Sequence, residues 1–217
     1  MSDADAEFDK ALLGAAFALG GSLGWDAVSV AEAARSASLD LARARERFPG
    51  RATILLRFGR LADRAALSQT PADGTVRDRL FYLLMQRLDV MQAHRAGMLA
   101  LLRRLPTQPP TILLLACATR RSMRWMLEAA GVPTAGVRGE LRVRGLVAVW
   151  LCAVRAWRRD ETDDMSATMS ALDTALQRAE RLAPWLGGVS PRPTPPEEPE
   201  PPAVPDDEPP APEVPAP

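Results

Sequence analysis

The chain has 217 residues, 47% of them hydrophobic, enough for one domain or for one core with an appendage. Its zero formal net charge hides an asymmetry: positions 191–217 hold seven acids and one arginine, net −6, while the first 190 residues hold 26 basic and 20 acidic groups, net +6, a balance that suits a polyanionic partner. Two isolated cysteines, Cys117 and Cys152, exclude a disulfide framework or Cys-x-x-Cys centre, the acidic opening MSDADAEFDK is not a targeting peptide, and the apolar run Leu146–Val154 is about half the ~18 residues of a spanning helix, so a cytoplasmic protein without membrane insertion, metal or cofactor is expected.

Strand signals are nearly absent. There is one tyrosine and no asparagine, and apolar residues recur at helical spacing, which predicts an all-α chain. A first helix spans Phe8–Gly21, with Phe8, Leu12, Ala15 or Ala16 and Leu19 on one face and Gly20-Gly21 as its stop. Ser29 N-caps a second helix that ends near Ser36, and Glu32 completes a capping box. Ser38 or Asp40 opens a third, which runs to Phe48 and is broken by Pro49-Gly50. A fourth runs from Arg51 to about Ser68 with Ile54 or Leu55, Phe58, Leu61 and Ala65 inward, and Ser68–Gly74 is a linker.

Thr75–Arg104 reads as one long amphipathic helix, its stripe formed by Val76, Leu80, Leu84, Leu88, Met91, Met98 and Leu102. Leu105–Pro110 breaks the chain, Thr111–Ala130 is helical and Gly131–Gly136 turns. Val137–Arg159 is helical with a centre, LVAVWLCAV, apolar on every side and therefore expected to be buried against several neighbours. The last helix, Thr162–Leu186, starts at an N-cap Thr162 with Asp163 and Asp164 at the positive end of its dipole. From Gly188 onward a core cannot form: thirteen of the twenty prolines lie in 191–217 among Glu and Asp, the composition of a disordered or polyproline-like tail.

The stretch GWDAVSVAEAARSASLDLARARERFPGR, Gly24–Arg51, is laid out as a helix-turn-helix. In its third helix Asp40, Ala42 and Arg43 are candidates for base edges, and Arg45, Arg47 and Arg51 for phosphates. Ser29, heading the second helix, joins this DNA-binding set. The alternative is a solvated charged face in an arginine-biased composition, since Lys10 is the only lysine beside 26 arginines.

A three-helix unit followed by a larger helical body resembles the TetR/AcrR family of transcriptional regulators over nearly all of 8–186. The family pattern Ala-x-x-Ala-Gly-Val-Ser, then a helix ending Tyr-x-x-Phe-x-x-Lys, falls on Val30–Arg51. Ala34, Leu39, Phe48 and Arg51 match its second-helix alanine, turn apolar residue, terminal Phe and phosphate-gripping Lys. Ser38 stands at the turn glycine, Arg45 at the tyrosine and Ala44 at the preceding apolar position. The resemblance implies a DNA-binding head over 8–52, an effector-binding and dimerising body over 53–187, and a tail over 188–217. It implies a homodimer bound to double-stranded operator DNA whose affinity responds to an apolar small molecule or lipid. The segments ARERFPGRATILLRFGRLADRA, VRDRLFYLLMQRLDVMQAHRA and AWRRDETDDMSATMSALDTALQRAERL are also similar to the ubiquinone-biosynthesis accessory family. That family shares the fold, and the similarity implies isoprenoid binding without DNA binding; its usual C-terminal membrane helix is replaced here by the acidic tail.

For an effector pocket the candidates are Met85, Met91, Met98, Leu113, Leu114, Met123, Trp125 and Met126, adaptable apolar walls that are otherwise plain core. Leu146, Trp150, Val154 and Trp157 with Leu172, Leu176 and Ala179 are expected to form a four-helix dimer interface, as the family implies, or an internal hairpin. His94 lacks any metal-binding partner and reads as a rim histidine. Asp160, Glu161, Asp163 and Asp164 lack the spacing of a calcium loop and read as dipole compensation. The tail reads as solubilising, or as an intramolecular polyanion competing for the head. With no Ser-His-Asp set, phosphate loop or metal cluster in the sequence, an enzyme is not expected.

Overall fold

A computed structural model describes residues 3–68 and 73–182. The acidic tail, the stretch of the last helix beyond Leu182 and the centre of the Ser68–Gly74 linker lie outside the described residues. Among the described residues there are nine α-helices and no strand: α1 Asp3–Leu23, α2 Val30–Ser36, α3 Leu41–Arg47, α4 Arg51–Leu67, α5 Val76–Gln92, α6 Arg95–Arg104, α7 Pro109–Ala129, α8 Gly136–Trp157 and α9 Ser166–Leu182. A short 3-10 turn, Leu105–Thr107, links α6 to α7.

α1 packs on α2 and α4 and along α6; α4 packs on α5 and α7, α7 on α8, and α8 against α9. A single buried cluster runs from Phe8 through Phe17, Phe58 and Leu88 to Trp157 and Leu176, so head and body share one core. At their junction the Phe17 ring lies 4.2 Å from Phe58 and edge-on to Trp25 at 5.1 Å. The Trp25 indole donates to the Gly97 carbonyl of α6 at 2.7 Å, which gives its buried N–H a partner. The expected boundary at residue 52 falls in the first turn of α4.

Several expected boundaries move, each for a local reason. Gly20 and Gly21 do not stop α1, which continues to Leu23; Gly24, at φ +85°, ends it. Gly20 instead lets the Trp25 ring approach, and a Cβ on Gly21 would meet Ala96. The long helix over Thr75–Arg104 is two helices, broken at Ala93-His94. The break turns α6 onto α1 so closely that a Cβ on Gly97 would fall 2.1 Å from the Phe17 carbonyl oxygen. His94 is half-buried at this corner, its ring 5.7 Å from Phe17 and 5.6 Å from Phe58, and burial lowers its pKa. Pro109 and Pro110, assigned to the break, form the first turn of α7, where their missing N–H costs nothing.

α9 begins at Ser166, four residues later than expected, and Asp164 and the Thr162 hydroxyl accept from its first N–H at 3.1 and 3.3 Å. Asp160 caps it from a distance. One oxygen of this buried carboxylate accepts from the N–H and hydroxyl of Thr168, both at 2.7 Å, and the other from the N–H and hydroxyl of Thr162. The Thr162 and Thr168 hydroxyl bonds hold the Asp160 carboxyl well below its ordinary pKa. The centre of α8 is not buried all round: Val149, Trp150 and Ala153 face inward, while Leu151 is 59% exposed and Cys152 is exposed. No helix among the described residues is long and apolar enough to cross a membrane.

Candidate nucleic-acid interface

α2 and α3 form a helix-turn-helix built on small residues. Ala33, Ala34 and Ala44 are buried with Phe48, and their short side chains let the two helices approach closely. Ser29 caps α2 by accepting from the Glu32 N–H at 3.0 Å. The reciprocal half of the expected box is replaced, because the Glu32 carboxylate pairs with Arg35. α2 ends in a Schellman turn: the Leu39 N–H donates to Ala34 O at 2.8 Å and the Ser38 N–H to Arg35 O at 3.0 Å. That turn puts Ser38 at φ +54°, the left-handed conformation for which the matching glycine is suited. Asp40 N-caps α3, accepting from the Arg43 N–H at 2.7 Å. One oxygen of its exposed carboxylate is thus engaged in the cap.

The four arginines of the DNA-binding set divide into two pairs. Arg43 and Arg47 face α1. The Arg47 side chain is 19% exposed, donates to both oxygens of Asp9 at 2.7 and 2.9 Å and lies 2.9 Å from Asp5. The Asp9 hydrogen bond raises the Arg47 pKa further. Asp9 also pairs with Arg57 of α4, whose guanidinium stacks on Phe48 at 4.7 Å. Arg43 bonds Asp5 at 2.7 Å. Arg45 and Arg51 hold only backbone oxygens, those of Pro49 at 3.0 Å and Asp26 at 3.3 Å. They line a groove of about 450 Å³ with Ser29, Val30, Ala31 and Leu41, between the start of α2 and the side of α3. Ala42 and Leu41 are exposed beside it. Thus Ser29, Ala42, Arg45 and Arg51 share one accessible face, and Arg47 is a structural strut. The sequence missed Asp5, Asp9, Phe8 and Arg57 as partners of α3. Residues 3–51 hold eight acids against six basic groups, so the basic excess lies in the body and not in the head.

In the body, Met91, Met98, Met123 and Met126 are buried core, and Met85 and Leu114 are half-buried. Trp125 is 53% exposed and Leu113 is exposed on the outside of α7, so neither lines an interior pocket. Leu114 borders a small cavity of about 70 Å³ between head and body, with Trp25, Arg51, Leu55, Leu101 and Arg104. The unexpected group is Arg87, buried where α4, α5, α7 and α8 meet. It pairs with Asp63 and lies 4.9 Å from the Trp150 ring, and Ser122 donates to Asp63 at 2.6 Å. Burial pushes the Arg87 guanidinium down to about 10. Its place three residues after Leu84 and four before Met91, on the apolar stripe, was the available signal.

The residues expected to join two subunits are mostly inside one. Leu146, Trp150, Trp157, Leu172 and Leu176 are buried between α8 and the rest of the body, and Val154 and Ala179 are half-buried. The open side of the α8–α9 pair is a groove of about 460 Å³ lined by Cys152, Ala167, Ser170, Ala171, Thr174, Ala175 and Arg178.

No protein-family model and no curated protein matches the chain. Solved structures do. A TetR transcriptional regulator from Nitrosomonas europaea ATCC 19718 superposes with a TM-score of 0.66 at 21% identity, over 80% of this chain and 98% of that one. A TetR-family transcriptional regulator from Streptomyces coelicolor does so with a TM-score of 0.57 at 21% identity, over 84% and 86%. The chain therefore has the TetR-like fold of these transcriptional regulators.

Proposed function

We propose that the chain is a DNA-binding transcriptional regulator that acts as a homodimer. The observation that carries this reading is the intact helix-turn-helix, capped at Ser29 and Asp40, with Arg45 and Arg51 beside an open groove. Duplex phosphates would replace the backbone oxygens that these two arginines hold, while Leu41 and Ala42 meet base edges, Leu41 by apolar contact. The small residues of the α8–α9 groove would let the same pair of a second copy approach, giving a two-fold axis that matches a palindromic operator. An apolar small molecule entering the body near Met85 and Leu114 would alter the spacing of the two heads and so weaken operator binding. Selection of bound duplexes from a random pool by the full chain tests this. A two-fold symmetric site with half-sites about one helical turn apart, or a multiple of it, is expected. A pool that shows no enrichment, with isoprenoid co-purifying, contradicts the proposal and favours a lipid carrier.

A further inference from the structure

We propose that Asp5 is an internal competitor for duplex phosphate at Arg43 and thereby sets the affinity of the head for DNA; this rests on the DNA-binding reading above. Arg43 and Arg47 stand one turn apart on α3, and α1 holds them differently. Arg47, with Asp9 and Arg57, forms a partly buried strut that joins α1, α3 and α4; Asp5 reaches it too, at 2.9 Å, but the two oxygens of Asp9 hold it without Asp5. Arg43 is the outer member, its side chain 40% exposed. It is held only from the first turns of α1: its Nη2 donates to Asp5 at 2.7 Å and to the Ala4 carbonyl at 3.2 Å, and its guanidinium lies 4.5 Å over the Phe8 ring.

A carboxylate and a phosphate compete for the same guanidinium fork. Asp5 therefore opposes DNA twice. It occupies Arg43 in the free protein, and it would repel the phosphate that replaced it. The Phe8 ring and the Ala4 carbonyl remain in place when Asp5 loses its charge, so Arg43 stays aimed along the same flank of α3. Asp3, exposed in the same turn of α1, carries the same charge without bonding Arg43 and serves as the control for general repulsion.

The test is the anisotropy of a fluorescein-labelled duplex titrated with the full chain at about 50 and 200 mM salt. Asp5→Asn is expected to bind about 3- to 10-fold tighter at the lower salt. Its salt slope should steepen by about 0.9, the signature of one further phosphate contact. Asp3→Asn should gain clearly less, and Asp5→Asn combined with Arg43→Ala should lose the gain. Wild-type binding that Asp5→Asn leaves unchanged or weakens overturns the proposal, as does a gain that survives Arg43→Ala or that Asp3→Asn reproduces in full. If neither wild type nor variant binds any duplex, the DNA-binding reading falls and takes this inference with it.

Discussion

Ser38 holds a β-carbon in a left-handed backbone region between α2 and α3, a strain of roughly 1–2 kcal/mol for a non-glycine residue. Part of it is recovered as lower chain entropy in the unfolded state. Ser38→Gly is therefore expected to stabilise the protein by about 0.5–1 kcal/mol, a rise in Tm of a few degrees by calorimetry. Asp160 works in the opposite direction. Its charge is satisfied by four donors in the fold and by water in the unfolded chain, so its folded pKa is the lower of the two. The stabilisation is complete above about pH 4 and is lost as pH falls through the folded pKa. Asp160→Asn should lower the Tm near neutral pH, by roughly 4–8 °C for a loss of about 2 kcal/mol. The difference from wild type should shrink as the medium is acidified. The Ser29 cap and the special status of position 38 were legible in the sequence, because both depend on near neighbours. The partners of Arg43 and Arg47 were not. They lie 38 residues away on α1, and no local pattern pairs an acidic N-terminal turn with a particular arginine.

Helices were legible as elements wherever an apolar stripe kept one phase. They failed where the chain changed direction without punctuation. Gln92-Ala93-His94-Arg95 contains neither proline nor glycine, yet α5 ends there, because α5 packs on α4 and α7 while α6 packs along α1. Gly97, three residues beyond the corner, is the residue that makes the turn useful. Its missing side chain admits the Phe17 carbonyl, and its own carbonyl accepts from Trp25. Gly97→Ala must push α6 away from α1. A loss of about 1–3 kcal/mol is expected, as for other overpacked sites, together with faster amide exchange along α1 and α6. Unchanged stability and exchange would mean that the helices separate freely. The start of α9 was misplaced because its first turn is capped from the preceding loop: Asp160 accepts from the Thr168 N–H, and the Thr162 hydroxyl that sequence spacing selected accepts from the Ser166 N–H beside Asp164.

At the scale of the molecule, composition and periodicity were sufficient for the all-helical class; the TetR-like arrangement was implied only by the motif resemblance over Val30–Arg51, and the superposed regulators share that fold. Composition and periodicity could not choose which side of α8 faces out, because Leu146–Val154 is apolar around the whole helix. Packing decides it, turning Val149, Trp150 and Ala153 inward and leaving Leu151 outside and Cys152 in the open groove beside Thr174 of α9. If the proposed homodimer closes through this groove, the wild type sediments as a dimer and Thr174→Arg as a folded monomer, whereas Leu176→Ala should cost about 2–5 kcal/mol of stability. A dimer indifferent to Thr174→Arg would place the subunit contact elsewhere. The head's own charge is slightly negative, eight acids against six basic groups over residues 3–51, so the proposed DNA binding would run through a few well-placed groups. The most direct test is fluorescence anisotropy of the full chain against duplexes tiled over the DNA upstream of its own coding region, beside Arg45→Ala and Arg51→Ala. One tile is expected to bind at least about a thousandfold more tightly than the others, weakened by salt and by either substitution. Equal, weak binding to every tile by all three proteins would contradict the proposed DNA binding.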